Sequence, residues 1–96
     1  MTDAISFATF APYIGAAVSL LDGPKLTLVA VEQPKAHATV PAPHAAFSLI
    51  LRGAPAPMVP EGMHRLILEG GPSFDLYLIP IHTPSRDHQD YQIVFN

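Results

Sequence analysis

The chain has 96 residues, of which 49% are hydrophobic and 14% charged, and its formal net charge is −3. This length suits a single domain over residues 1–96, and the charged share is well below the usual value of about 25%. The few basic residues are scattered and no apolar run approaches the roughly 20 residues that cross a bilayer, so we expect neither nucleic-acid nor membrane binding. The absence of cysteine excludes disulfides and thiolate chemistry. Because the N-terminus lacks the basic start of a secretory signal, we expect a cytoplasmic protein.

A short helix is the first predicted element. Thr2 or Asp3 is a suitable N-cap for a helix over Ala4–Phe10, and Pro12 ends it. We expect this helix to place an aromatic side chain over one open end of a sheet.

Six short apolar runs follow, and most of them alternate between apolar and polar residues. Such alternation predicts antiparallel strands, and Asp22-Gly23 between the first two runs predicts a tight hairpin turn. The runs are Ile14–Leu21, Lys25–Glu32, Phe47–Arg52, Met63–Glu69, Phe74–Ile81 and Tyr91–Phe95.

The apolar positions of the last five runs form one coherent inward face. A flat sheet would leave that face in water, so we predict a mostly β fold, either a small antiparallel barrel or a curled two-layer sheet of about six strands. The predicted inward residues are Leu26, Leu28, Phe47, Leu49, Leu51, Leu66, Leu68, Phe74, Leu76, Leu78, Ile93 and Phe95.

The run Lys25–Glu32 is apolar on both faces. Strict alternation places Thr27, Val29 and Val31 on the face opposite Leu26 and Leu28. Since an apolar outer face is typical of a covered surface, we predict that these three residues contact a second copy of the chain or another protein.

The two longest polar connections are candidate ligand sites. Gln33–Ala46 is rich in proline, and His82–Asp90 contains His82, Asp87 and His88. Long connections are often functional, so one alternative is a small-ligand barrel with its mouth near both loops. The other is that Gln33–Ala46 is a plain crossover.

The sequence contains no convincing catalytic or metal-binding pattern. The histidines lack the spacings at which two imidazoles share a strand or helix face, and Ser85 beside His82 and Asp87 lacks the strained turn of a nucleophilic serine. We therefore expect no enzyme activity, no metal and no cofactor. The loop cluster of His82, His88 and Asp87 remains the best candidate for a ligand site. The other histidines are His37, His44 and His64.

Arg52 ends an apolar strand, where a guanidinium commonly pairs with a carboxylate and tethers a turn. The expected partner is Glu61 or Glu69. The alternative role is contact with an anion or a partner.

Short motifs spread over most of the chain resemble a family of short bacterial proteins known as a domain of unknown function. The loops Ala36–Ala46 and Thr83–Asp90 have no counterpart in that resemblance. Members tend to be encoded beside phage-tail-like fibre or collar proteins, so the resemblance implies an assembly role and supplies no catalytic residues. The matching motifs are Phe10 with Gly15, Phe47-Ser48-Leu49 with Arg52-Gly53, Pro60-Glu61-Gly62, Phe74–Pro80, and Tyr91 with Phe95-Asn96.

Two hypotheses about function are therefore consistent with the sequence. The first is a non-enzymatic assembly module that packs against itself or a larger protein, and the second is the small-ligand barrel. A filled interior favours the first, and a deep pocket lined by the loop histidines favours the second.

Overall fold

The computed structural model describes Ile5 and residues 7–21, 23–33 and 46–95. The fold is mostly β, as the alternation predicted, with a short N-terminal helix. The elements are α1 (Phe7–Phe10), a 3₁₀ turn (Ala11–Tyr13), β1 (Ala17–Leu20), β2 (Lys25–Glu32), β3 (Phe47–Gly53), β4 (Gly62–Leu68), β5 (Ser73–Pro80) and β6 (Gln89–Phe95).

The strands form a closed antiparallel barrel in the order β1-β2-β3-β6-β5-β4. Because every strand runs against its neighbours, successive connections alternate between the two ends. The helix end carries α1 and the connections β2–β3 and β4–β5. The opposite end, called here the loop end, carries the connections β1–β2, β3–β4 and β5–β6.

The interior is filled by the apolar half of the alternating strands. All predicted inward residues contribute, although Phe74, Leu76 and Phe95 are only partly buried against the cluster. Tyr91 is 1% exposed, and Val59 in the β3–β4 connection is 6% exposed. The buried residues are Phe10, Val18, Leu20, Leu26, Leu28, Phe47, Leu49, Leu51, Val59, Leu66, Leu68, Leu78, Tyr91 and Ile93.

The barrel wall is splayed between β5 and β6, and α1 fills the gap. Among the described residues, β5 pairs with β6 only at Ile79↔Gln92 and Pro80↔Tyr91. The ring of Phe10 lies 5.3 Å from that of Phe74 and 5.5 Å from that of Phe95, between centroids. The prediction of an aromatic over one open end is thus confirmed. The predicted N-cap and the predicted start at Ala4 lie outside the described residues.

A β-bulge in β2 corrects the predicted outer face. Leu28 pairs with Leu51, but Ala30 pairs with Ile50 and Val31 with Leu49, so β2 contains one extra residue at Val29. Opposed residues on neighbouring antiparallel strands share a face. Val31 therefore points inward with Leu49 and packs against the core.

Neither helical segment in the described ranges has the length and hydropathy of a membrane-crossing helix.

Candidate functional site

The strand ends that lead into the two loops of the predicted ligand mouth lie at opposite ends of the barrel. Gln33 and Ala46 flank the connection at the helix end, whereas Ile81–His88 closes the loop end. The connections β2–β3 and β5–β6 are three apart along the chain, and an odd separation in an antiparallel barrel means opposite ends. Residues 34–45, which include His37 and His44, lie outside the described residues.

Backbone and side-chain hydrogen bonds hold the β5–β6 connection in place. The Thr83 hydroxyl donates to the carbonyl of Ile81 at 3.0 Å and accepts from the N–H of Asp90 at 2.9 Å. The Gln89 amide donates to the same Ile81 carbonyl at 2.8 Å. These bonds join the start of the loop to its end.

In the predicted cluster of His82, His88 and Asp87, the contacts of His88 and Asp87 lead to other residues. His88 Nε2 lies 3.6 Å from Asp90 Oδ1, and the N–H of Asp87 donates to Ser85 Oγ at 3.0 Å. His82 is exposed. Within the described ranges, no three histidine or acidic side chains are grouped closely enough to hold a metal ion.

Arg52 pairs with Asp90, and the predicted partners Glu61 and Glu69 were wrong. The Nε of Arg52 donates to Asp90 Oδ1 at 2.8 Å, and its Nη2 donates to Asp90 Oδ2 at 3.2 Å. β3 lies beside β6, which places Arg52 opposite Asp90. The hydrogen bond from Arg52 lowers the pKa of the Asp90 carboxyl, despite partial burial, and raises the pKa of the Arg52 guanidinium.

The predicted partner surface is divided by the bulge. Thr27 lies opposite Arg52 on the outside of the barrel and is exposed, whereas Val31 faces the core and Val29 is half-buried at the bulge. The three residues do not share one outer face. The association surface predicted from strict alternation is therefore not a continuous surface of the protein.

A different outer surface groups several of the exposed large apolar side chains. On β4 and β5 the residues between the buried positions point outward, and Leu21 lies beside them because its N–H donates to the carbonyl of Arg65 at 3.0 Å. The exposed fractions are 59% for Leu21, 63% for Met63, 39% for Ile67 and 47% for Tyr77. We call this surface the β4–β5 patch, and it consists of Leu21, Met63, Arg65, Ile67, Asp75 and Tyr77.

An ion pair lies at the centre of the patch. Arg65 and Asp75 are cross-strand neighbours, and two hydrogen bonds of 2.9 Å join the guanidinium to the carboxylate. The hydrogen bond from Arg65 lowers the pKa of Asp75 and raises that of Arg65. Both side chains are about half-exposed, at 50% and 55%, so the pair contributes little to folding and remains available to a partner.

Tyr77 is oriented by a second polar contact. Its hydroxyl donates to Glu61 Oε2 at 2.6 Å, and this bond raises the pKa of the phenol. Tyr77 also lies directly across from Met63. The ring is thereby held on the surface beside an exposed thioether, an arrangement that suits contact with another protein.

An apolar groove adjoins the patch at the loop end. It has a volume of about 300 Å³ and lies between the β1–β2 turn and the β3–β4 connection. His64 borders it, and His64 Nε2 lies 2.8 Å from the carbonyl oxygen of Pro60. Leu21 belongs to both surfaces, so the groove extends the exposed apolar area. Its other lining residues are Leu20, Gly23, Pro24, Pro57, Met58, Val59 and Pro60.

The sequence carried a signal for this patch. Ile67 is an isoleucine on the strand face opposite Leu66 and Leu68, where a single-sheet protein usually has a polar residue. Met63 occupies the same face. The alternation therefore placed both residues outside, but it did not show that β5 and the end of β1 flank them.

The comparisons with known proteins give a family and no activity. No curated protein and no solved structure matches the chain. Residues 5–95 match the family described as Domain of unknown function (DUF6916). Since this match covers nearly the whole chain, the protein belongs to that family.

Proposed function

We propose that the protein is a non-enzymatic structural module that packs against itself or a larger protein through the β4–β5 patch. The observation that supports this most directly is the patch itself. Exposed leucine, methionine, isoleucine and tyrosine side chains surround a half-exposed arginine–aspartate pair. Tyrosine, methionine and arginine are enriched in protein interfaces.

The filled interior supports an assembly role over the ligand barrel. Leu28 and Val18 are 0% exposed and Leu49 is 1% exposed, so the barrel encloses its own side chains where a ligand barrel encloses its ligand. Two arginines form ion pairs with aspartates of the same chain, Arg52 with Asp90 and Arg65 with Asp75. These ion pairs suit a structural domain that binds its partner through its outer surface.

The family resemblance supports a specific setting for this role. That resemblance implies an assembly role beside phage-tail-like fibre or collar proteins. We extend the proposal accordingly to a bacterial protein that takes part in a phage-tail-like assembly, in the cytoplasm and without a cofactor.

A photo-crosslinking experiment in the producing cells tests the proposal. A photoreactive residue in place of exposed Met63 should form a discrete adduct with this chain or with one larger protein. The same residue in place of exposed Thr27, on the far side of the barrel, serves as the matched control. No adduct at Met63, or equal adducts at both positions, would count against the patch as an assembly surface.

A ligand screen tests the alternative. If the protein is a ligand barrel, apolar fluorescent probes and fatty acids should bind to the native protein and raise its melting temperature. We expect neither effect, because side chains fill the interior.

A further inference from the structure

We propose that the β4–β5 patch binds the same patch on a second copy of the chain, about a two-fold axis that runs parallel to β4 and β5. In this dimer Arg65 faces Asp75 of the second copy, and Met63 faces Tyr77 of the second copy. The inference rests on the proposed function and specifies its partner and geometry.

The charges of the patch are complementary to a copy of the patch. Arg65 and Asp75 lie side by side on neighbouring strands, with the carboxylate and guanidinium about half-exposed. A surface of one sign needs a partner of the other sign, whereas a surface that carries one charge of each sign can satisfy itself. Two copies then form an alternating set of two arginines and two aspartates.

The cross-strand register selects the direction of the axis. Two surfaces face each other across a two-fold axis only if the axis lies in the plane between them. An axis parallel to the strands, between β4 and β5, places β4 of each copy over β5 of the other. In the register, Arg65 is paired with Asp75 and Met63 with Tyr77. With this axis, Arg65 of one copy therefore faces Asp75 of the other, and Met63 of one copy faces Tyr77 of the other.

The perpendicular axis gives an unfavourable contact. An axis that crosses the strands at the Arg65–Asp75 row places β4 over β4, so Arg65 faces Arg65 and Asp75 faces Asp75. Like charges opposed across an interface are strongly unfavourable. The arrangement of the patch therefore favours one two-fold axis over the other.

The apolar residues of the patch surround the charged centre on three sides. Met63 and Ile67 lie two residues from Arg65 on either side along β4, and Leu21 lies on the β1 side. Their exposed fractions are 63%, 39% and 59% respectively. Burial of such groups around the ion pairs would exclude water from them, which is the arrangement of the energetically important centre of many interfaces.

Charge reversal provides the first test. Sedimentation equilibrium over about 1 μM to 1 mM, the range of weak to moderate dissociation constants, should show a dimer for the native protein. Arg65→Asp and Asp75→Arg, each alone, should raise the dimer dissociation constant by at least about tenfold. An equimolar mixture of the two variants should form a mixed dimer. The double variant R65D/D75R should dimerise like the native protein, and it retains the pair within each copy.

The control is a charge introduced elsewhere on the outer surface. Thr27 is exposed on β2 beside Arg52. The substitution Thr27→Asp should leave the dimer dissociation constant unchanged. Melting curves of all variants show whether each is folded. Loss of dimer in T27D, or no mixed dimer from two folded single variants, would overturn the inference.

Cysteine crosslinking tests the axis, and the native chain has no cysteine that would interfere. Facing sheets lie about 10 Å apart, so a short bis-maleimide is a suitable reagent. With the axis parallel to the strands, the residues at position 63 of the two copies lie on neighbouring strand lines, and Met63→Cys alone should crosslink. With the perpendicular axis they are a further 14 Å or so apart along the strands. In that case only a mixture of Met63→Cys and Ile67→Cys would crosslink, and the proposed axis would be wrong.

The inference and the proposed function fail in different ways. If sedimentation shows the native protein as a monomer at the highest protein concentration, the proposed dimer is wrong. The proposed function survives that result if Met63 crosslinks to a larger protein in cells, and fails if it crosslinks to nothing.

Discussion

The hydroxyl of Tyr91 accepts a hydrogen bond from the backbone N–H of Val59, with 2.9 Å between the oxygen and the nitrogen. Both residues are buried, at 1% and 6% exposure. The bond joins β6 to the β3–β4 connection, which is 32 residues away in the chain. It closes the loop end of the barrel with a polar contact inside an apolar core, where an unpaired N–H is costly.

Tyr91→Phe should destabilise the fold by about 1–3 kcal/mol, because it leaves the N–H of Val59 buried without an acceptor. Urea denaturation measures the change in the free energy of unfolding. Tyr77→Phe is the matched control, since it also removes one hydroxyl hydrogen bond but from an exposed side chain. An equal loss of stability in both variants would contradict the structural role assigned to the Tyr91 bond.

The alternation of apolar residues was sufficient to predict the strands. The last five predicted runs agree with β2 to β6 to within two residues at each end. The first run was too long, because Ile14 and Gly15 belong to a turn after the 3₁₀ segment and Gly15 has φ of 92°. Side-chain alternation reports strands well because burial on one face is the force that selects them.

The bulge at Val29 was not predictable from the same pattern. Bulges are often marked by glycine, but here the extra residue is one of three adjoining apolar residues, Val29, Ala30 and Val31. A strand that is apolar on both faces gives the same pattern with or without the slip. The predicted common outer face of Thr27, Val29 and Val31 was wrong for this reason.

The charged pairs depend on strand order, which the chain does not show locally. Arg52 was expected to meet a carboxylate near in sequence, but its partner Asp90 is 38 residues away because β3 pairs with β6. By contrast, the opposite placement of the strand ends that flank the two polar loops follows from counting antiparallel strands.

Phe10→Ala should cost about 3–5 kcal/mol, the usual range for a buried phenylalanine. Phe10 is 1% exposed and contacts the rings of Phe47, Phe74 and Phe95, so its side chain closes the helix end of the barrel. Thermal or urea unfolding measures the loss.

Phe95→Ala is the comparison for this prediction. Phe95 stacks on Phe47 with 4.5 Å between ring centroids but is only partly buried, so its loss should cost less than that of Phe10. The opposite ranking would mean that α1 is not essential to the closure of the barrel.

Gly53→Ala should destabilise the protein by about 1–3 kcal/mol through overpacking. A β-carbon at this position would lie 2.5 Å from Leu26 Cδ2 and 3.7 Å from Tyr91 Cε1. Leu26 is 2% exposed and cannot move into solvent without leaving the core. Gly53→Ala combined with Leu26→Val, which removes a methylene group where the new carbon enters, should recover part of the loss. If the single variant has the same urea midpoint of unfolding as the native protein, the packing at the end of β3 is looser than the structure indicates.

Acid should weaken the protein partly through Asp90. The hydrogen bond from Arg52 lowers the pKa of this carboxyl below its ordinary value of 3.8. Because the unfolded chain then binds the proton more readily, the contribution of the pair is complete above a pH of about 4 and is lost as the pH falls through the folded pKa. The free energy of unfolding should therefore decrease across that acidic range.

Asp90→Asn should make this acid decrease shallower, since the variant has no carboxyl to protonate. Asp75→Asn should have a smaller effect, although its pKa is also lowered by an arginine, because the Asp75 side chain is 55% exposed against 16% for Asp90 and water screens it more. Urea titrations of the three proteins at neutral and acidic pH provide the comparison. A pH profile for Asp90→Asn that follows the native curve would show that the Arg52–Asp90 pair does not contribute to stability, and that the β3–β6 contact is held by its backbone hydrogen bonds and buried side chains.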